Sequence, residues 1–197
     1  GIQSSARMED YIRQSIPHTR FEELPTPFAT VATDLHTGTP VVMSGAGDVA
    51  LAVRASCALP GWYVPVIDEQ GRYLVDGGLV ANVPVSAARS LGADIVVAVD
   101  VNAEGARFVE PSQSIIGILL ESLLIVQRTA NAHQRASADI VILPKVGHIR
   151  WDEMTRADEL IAAGEEATRE VVEDIKRLIQ PPAQQRLPLP EADPQTV

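Results

Sequence analysis

A short, unbroken apolar run near the middle of the chain constrains the fold most strongly. Residues 95–99 read Ile-Val-Val-Ala-Val, which is typical of a strand buried on both faces of a parallel sheet. A second such run, Ile-Val-Ile-Leu, occupies residues 140–143, and helical patterns separate the two. This alternation indicates an α/β fold with a mainly parallel central sheet flanked by helices.

Two β-hairpins are predicted in the first half of the chain. Residues 28–33 and 40–43 are strand-forming runs joined by a turn. Residues 63–67 and 72–75 flank the turn sequence Asp-Glu-Gln-Gly. The second hairpin places Asp76 at the end of its last strand.

Five helices are predicted from apolar periodicity and capping signals. They are a first helix capped by Ser4 or Ser5, an alanine-rich helix over residues 49–58 capped by Asp48, and helices over residues 83–91, 112–135 and 155–179. The apolar part of the fourth, residues 115–126, is well short of the roughly 20 residues that cross a bilayer. We expect it to be a core helix, with a lipid-facing or dimer-forming surface as the alternative.

Composition excludes several classes of function. The net charge of −10 argues against nucleic-acid binding, which needs clustered Lys and Arg. The single cysteine, Cys57, excludes an internal disulfide and favours a reducing compartment. We therefore expect a cytoplasmic protein, with peripheral membrane contact as an open alternative. The four histidines show no metal or triad spacing, and we expect no metal and no cofactor.

The chain is long enough for one domain, and its tail differs from the rest. Residues 181–197 are proline-rich and polar without periodicity, which predicts a disordered tail. Residues 1–180 are then the domain. The sequence begins at Gly1 with residues typical of a domain interior, so we expect it to be a fragment or a processed or truncated chain.

Three carboxylates follow predicted strands, where chemistry gathers in open α/β sheets. They are Asp34, Asp76 and Asp100. Asp76 is distinguished by Gly77 and Gly78, which remove side chains beside it and allow close approach to the carboxylate. An Asp-Gly pair after a strand is also a common turn, and that alternative remains open at this point.

Three segments together resemble bacterial patatin-like phospholipases of the neuropathy-target-esterase-like branch. They are residues 28–35, 54–61 and 76–84, in the order and at the spacing of that family, and the similarity continues through residues 94–102 and 160–164. The resemblance implies a lipid acyl hydrolase, a serine esterase that cleaves carboxyl esters of lipids or lysophospholipids. It also implies a Ser-Asp dyad in which Asp76 is the catalytic acid residue, supported by Gly77 and Gly78.

The sequence departs from that family at the nucleophile. No G-x-S-x-G elbow occurs in the 197 residues, and Ser44 has its glycines in the wrong frame. Ser56 and Cys57 lie in a small-residue helix, where packing is the expected role. We therefore expect the chain to be inactive alone, with a missing N-terminal segment supplying the serine.

Several alternatives stay open. The chain could be a non-catalytic interaction or regulatory module that retains the fold, or a nucleotide-binding domain that uses Asp100, although the glycine fingerprint is absent. Arg54 could extend to water, pair with a carboxylate or bind an anionic head group. Trp62 and Tyr63 could line an acyl pocket or pack in the core. The sequence does not identify substrate-binding residues.

Overall fold

The computed structural model describes residues 4–102, 115–149 and 153–180. The six α-helices in these ranges are α1 (Ala6–Ser15), α2 (Val49–Ser56), α3 (Gly78–Ala81), α4 (Val85–Ser90), α5 (Ile115–Arg135) and α6 (Ala157–Ile179). The strands there are β1 (Ala29–Asp34), β2 (Pro40–Ser44), β3 (Val66–Ile67), β4 (Tyr73–Asp76), β5 (Val97–Val99) and β6 (Ile140–Ile142). The predicted tail, residues 181–197, lies outside the described residues.

The strands form two sheets, which confirms the α/β class. Strands β2, β1, β4 and β3 form a four-stranded sheet in that order, and every pair in it is antiparallel. The short turns within both predicted hairpins permit only antiparallel neighbours. The expected parallel pairing occurs between β5 and β6, which are separated by α5. The first half of the chain therefore builds an antiparallel sheet, and the second half contributes the parallel pair.

Helix α2 packs closely against the antiparallel sheet, as its small residues predict. Ala50, Ala52 and Ala55 are each at most 2% exposed. The Asp48 carboxylate accepts a hydrogen bond from the Leu51 amide at 2.8 Å, which confirms the predicted N-cap. Ala55 joins a core cluster with Ala32 of β1. The alanines thus bring the end of α2 close to the sheet.

Arg54 connects α2 to α1. Its Nε donates to the Ser5 hydroxyl at 2.9 Å, and its Nη1 donates to the Glu9 carboxylate at 2.6 Å. Ser5 is 1% exposed and Glu9 is partly buried. Of the alternatives open for Arg54, the structure supports a carboxylate pairing, and that pairing fixes α1 on the domain.

The prediction that residues 95–99 are buried on both faces is wrong. Within β5, Ala98 is 5% exposed, whereas Val97 and Val99 are 37% and 54% exposed. Alternate residues of a strand point to opposite faces. In the described part of the chain β5 pairs only with β6, and one face of that pair is covered while the other is open.

The prediction that residues 115–126 form a core helix is also wrong, although the helix itself is present. The side of α5 that faces solvent carries apolar residues with 50–79% exposure, here called the outer face: Ile115, Ile118, Leu119, Ile125 and Val126. The opposite side contacts α3 and carries polar residues, here called the inner face: Gln127, Asn131, Gln134 and Arg135. Polar contacts therefore hold α5 in place.

Helix α6 is amphipathic and contacts β6, although none of its residues is fully buried. Its charged side forms pairs along the helix such as Arg169 with Glu165 at 2.8 Å. None of the described helices combines the length and the hydropathy needed to cross a membrane.

Candidate active site around Asp76

The backbone of Asp76 is fixed by its two neighbours in the fold. Asp76 pairs with Ala32 in the register of β1 and β4. Thr33 Oγ1 donates to the Asp76 carbonyl at 2.9 Å, and the Asp76 amide donates to the Ala58 carbonyl at 3.0 Å. The end of β4 is therefore held between β1 and the residues that follow α2.

Gly77 is required by the contact with β1. A Cβ on residue 77 would lie 2.1 Å from the Val31 carbonyl oxygen. The same oxygen accepts a hydrogen bond from Ser56 Oγ at 2.7 Å. Ser56 thus joins α2 to β1, as its expected packing role requires. Gly77 lacks a side chain because a strand lies against it, which differs from the expected role in substrate approach.

Gly78 lies against the carboxylate itself. Its amide donates to Asp76 Oδ1 at 2.7 Å. A Cβ on residue 78 would be 3.0 Å from Asp76 Oδ1, 3.0 Å from Asn82 Oδ1 and 3.3 Å from Gln127 Nε2. Three polar side chains therefore surround the position that a Cβ on residue 78 would occupy. They are Asp76 of β4, Asn82 after α3 and Gln127 of α5.

Asn82 and Gln127 were not predicted as site residues. Asn82 lies six positions after Asp76, within the segment that carries the family resemblance. This closeness in sequence was a weak signal that Asn82 belongs to the site. Gln127 is 51 positions away on a helix that was predicted to be apolar core. Only the inward orientation of the polar side of α5 brings it to the site.

Burial raises the pKa of the Asp76 carboxyl, and the hydrogen bond from the Gly78 amide partly opposes this rise. Among the described residues, no Arg, Lys or His forms an ion pair with Asp76. A carboxylate with a raised pKa and partial exposure is suited to accept a proton from a hydroxyl group.

The other two strand-end carboxylates, Asp34 and Asp100, are each bonded to another group of the protein. Asp34 Oδ1 accepts from the His36 amide at 2.9 Å in a turn, and this bond lowers the pKa of Asp34. Asp100 is 1% exposed and pairs with Arg135 at 2.5 Å. The structure thus gives Asp34 a turn role and Asp100 an ion pair, which leaves Asp76 as the candidate.

Cys57 follows α2 and lies near Asp76. Desolvation raises the pKa of its thiol, and the negative charge of Asp76 raises it further. A thiol with a raised pKa is a poor nucleophile because little thiolate is present. Cys57 is exposed, so the packing role expected for it is wrong, and the raised pKa of its thiol is the observation that argues against a nucleophilic role.

The remaining candidates take other positions. Tyr63 packs against the core cluster beside α2, whereas Trp62 is 46% exposed. His148 pairs with Glu159 at 2.7 Å. No group of three or more His, Cys, Asp or Glu residues with metal-binding geometry occurs within the described ranges.

The fold and site define an α/β chain with a strand-end aspartate followed by a tight Gly-Gly turn. A family model described as patatin-like phospholipase matches residues 1–89, which include Asp76, Gly77 and Gly78. This match confirms the resemblance to patatin-like phospholipases that the sequence analysis identified.

Individual relatives agree with this assignment. An uncharacterized NTE family protein of Mycobacterium tuberculosis is 36% identical over 115 residues, which cover 57% of this chain and 31% of that protein. Human patatin-like phospholipase domain-containing protein 6 is 37% identical over 86 residues, 43% of this chain and 6% of that protein. The chain thus matches about a third of the length of the mycobacterial relatives.

Proposed function

We propose that this chain is the acid-bearing part of a hydrolase that cleaves carboxyl esters of lipids or lysophospholipids with a Ser-Asp dyad. Asp76 is the acid residue of the dyad, and the serine comes from a segment outside these 197 residues. The observation that carries the proposal is the state of the Asp76 carboxylate. It has a raised pKa, lies beside Gly78 and forms no ion pair with the described residues.

The reaction follows from this carboxylate. As the serine hydroxyl oxygen attacks the ester carbonyl carbon, Asp76 accepts the hydroxyl proton. The bond to the alcohol then breaks, the leaving oxygen takes the proton, and an acyl-serine remains. Water then attacks the acyl-serine and gives a proton to Asp76. The bond between the acyl carbon and the serine oxygen breaks, the serine oxygen takes the proton from Asp76, and the fatty acid is released. A base whose pKa is raised toward the working pH accepts a proton more readily.

Lipid substrates are supported by the family and by the outer face of α5. The relatives include proteins named patatin-like phospholipases. Five exposed apolar residues on one face of a 21-residue helix suit contact with a lipid surface. The net charge of −10 favours zwitterionic over anionic surfaces, so any peripheral membrane contact is expected to depend on apolar burial.

The 197-residue chain alone is expected to be inactive because it lacks the nucleophile, and loss of the nucleophile removes most of the catalytic advantage. The test compares this chain with the longest product that its gene encodes, using a short-chain ester and a lysophospholipid. Hydrolysis and fluorophosphonate labelling of a serine in the longer product, with neither in the shorter chain, support the proposal. A longest product that hydrolyses neither ester contradicts it.

A second candidate is a non-catalytic interaction module, favoured by the same exposed outer face of α5. The module hypothesis predicts that Leu119→Ser abolishes partner binding and that Asp76→Asn changes nothing measurable. The hydrolase hypothesis predicts that Asp76→Asn abolishes ester cleavage without unfolding. Partner binding and ester cleavage, measured for both substitutions in the longest gene product, therefore distinguish the module hypothesis from the hydrolase hypothesis.

A further inference from the structure

Two side-chain carboxamides near Gly78 have hydrogen-bonding capacity that the described residues do not use. They belong to Asn82 and Gln127, which are both half-buried. Neither side chain forms a hydrogen bond with another described residue. Each carboxamide offers donors and an acceptor, so both side chains are available to bind a ligand.

Asn82 and Gln127 present complementary atoms to the same side of Gly78. A Cβ on residue 78 would lie 3.0 Å from Asn82 Oδ1 and 3.3 Å from Gln127 Nε2. The first atom is a hydrogen-bond acceptor and the second is a donor. Asp76 Oδ1 lies 3.0 Å from the same position and accepts from the Gly78 amide. A ligand hydroxyl group on this side of Gly78 can therefore donate to Asn82 and accept from Gln127.

Gln127 also borders a small cavity that lies beyond the end of β5. Asn102, Arg128 and Asn131 are the other polar residues that line it. Asn131 is 1% exposed, and its Oδ1 has no hydrogen-bond partner in the part of the chain that the structure describes. A buried acceptor without a partner indicates that a donor from elsewhere bonds to it. The inner face of α5 therefore offers further polar atoms to a ligand that lies beside Gln127.

Arg128 adds a positive charge at this cavity. Among the described arginines and lysines, those without an ion pair are Arg7, Arg128 and Lys145. Of these three, Arg128 is the one that lines the cavity beside Gln127. A guanidinium group binds phosphate oxygens through paired N–H donors. In a chain with a net charge of −10, a guanidinium group without a carboxylate partner is available to an anionic ligand.

We propose that Asn82, Gln127 and Arg128 form the subsite for the alcohol part of the ester substrate. They select an alcohol part that carries a hydroxyl group and a phosphate, as the glycerophosphate part of a lysophospholipid does. The two carboxamides bond to the hydroxyl group, and the guanidinium group pairs with the phosphate. This inference rests on the proposed function, because it takes Asp76 as the catalytic aspartate and a lipid ester as the substrate.

The first test measures ligand binding to the 197-residue chain by NMR, with sn-glycerol 3-phosphate as the probe. The side-chain amide resonances of Asn82 and Gln127 are expected to shift on titration. Arg128→Ala is expected to weaken binding by about tenfold or more. The matched control is Arg7→Ala, which removes an exposed arginine of α1 that forms no ion pair with the described residues.

Three results of this titration overturn the proposal. They are the lack of any shift at the two carboxamides, equal affinity in the Arg128 and Arg7 variants, and inorganic phosphate that binds as tightly as glycerol 3-phosphate. Inorganic phosphate lacks the hydroxyl group that the carboxamides are expected to bind, so weaker binding of phosphate supports the proposal. The shifts in the unsubstituted chain do not depend on how the variants fold.

The second test measures kcat/KM for the longest gene product with a lysophospholipid and with a nitrophenyl ester of the same acyl chain. The nitrophenyl ester carries neither a hydroxyl group nor a phosphate. Gln127→Ala and Arg128→Ala are each expected to lower the ratio of the two kcat/KM values by about tenfold or more, through KM for the lysophospholipid. The control is Gln14→Ala, at an exposed glutamine of α1. An unchanged ratio in both variants overturns the proposal.

The two tests also separate this proposal from the proposed function. A longest gene product that hydrolyses neither ester contradicts the proposed function, and the NMR titration then decides whether the glycerophosphate site exists. Binding of glycerol 3-phosphate together with an unchanged ratio of kcat/KM values shows a site for a free phosphorylated alcohol. That combination overturns the assignment of the site to the substrate.

Discussion

The Val31 carbonyl oxygen occupies the space where a side chain on Gly77 would begin, because a Cβ there would be 2.1 Å away. The same oxygen accepts the Ser56 hydroxyl. The Val31 carbonyl of β1 therefore contacts both the end of α2, through Ser56, and the turn after Asp76, at Gly77. The Val31 carbonyl therefore excludes any side chain at residue 77.

Gly77→Ala is expected to destabilise the chain by about 3 kcal/mol, because backbone atoms of β1 must move to admit the methyl group. The matched control is Gly78→Ala, whose methyl group would meet side-chain oxygens at 3.0 Å that rotate away. We expect that control to cost about 1 kcal/mol or less. Urea unfolding of both variants tests this, and equal losses at the two positions would contradict it.

The raised pKa of Asp76 predicts how stability depends on pH. Because the folded state binds the Asp76 proton more tightly than the unfolded state, stability from this group is present below the ordinary Asp pKa of about 3.9 and lost as pH rises through the folded value. Asp76→Asn removes the titrating carboxyl group and therefore removes this pH-dependent loss of stability. The variant is expected to show a smaller fall in unfolding free energy from pH 3.5 upward than the parent. A larger fall in the variant would show that the sign is wrong.

Arg54→Ala is expected to destabilise the chain by about 1.5–3 kcal/mol, because it removes charge-assisted bonds to Glu9 and to the buried Ser5 hydroxyl. The control is Arg169→Ala, which breaks an exposed pair with Glu165. Exposed pairs contribute about 0.5 kcal/mol. Thermal unfolding of the two variants measures the difference, and a loss at Arg54 no greater than at Arg169 would remove its anchoring role.

Arg135→Ala is expected to cost about 3–5 kcal/mol, because it leaves the Asp100 carboxylate buried without its partner. Adding Asp100→Asn removes the uncompensated charge and is expected to recover part of that loss. The double variant is compared with both single variants in denaturant titrations. If the double variant is less stable than Arg135→Ala, Asp100 is not held by the ion pair.

Sequence patterns predicted the local structure well and the burial poorly. The Asp48 cap, the two hairpins and the alanine-rich packing of α2 follow from local chemistry, and each is found in the structure. The exposure of β5 and of the outer face of α5 depends on which elements cover them, and apolar composition does not specify that. Periodicity and capping signals therefore predicted five of the six α-helices in the described residues and missed α3, and they predicted the burial of β5 and of α5 incorrectly.

The candidate site was predicted only in part for the same reason. The place of Asp76 after a strand and before two glycines made it a candidate but also fitted a turn, and the family resemblance selected it. The contacts of Gln134 with the α3 region accompany the approach of Gln127 to Gly78, and no local pattern encodes a proximity over that separation in sequence. The distinction between Asp76 and Asp100 also required the position of Arg135.

The most direct test of the central claim is kcat/KM for ester hydrolysis by the longest gene product, measured for Asp76→Asn and for the control Asp34→Asn. Asp34 also ends a strand, but it serves a turn. Loss of the dyad acid is expected to lower kcat/KM by roughly 1,000-fold or more, while the Asp34 variant keeps activity within a few-fold of the parent. Asp76→Asn with undiminished hydrolysis would contradict the role of Asp76 as the catalytic aspartate of the dyad.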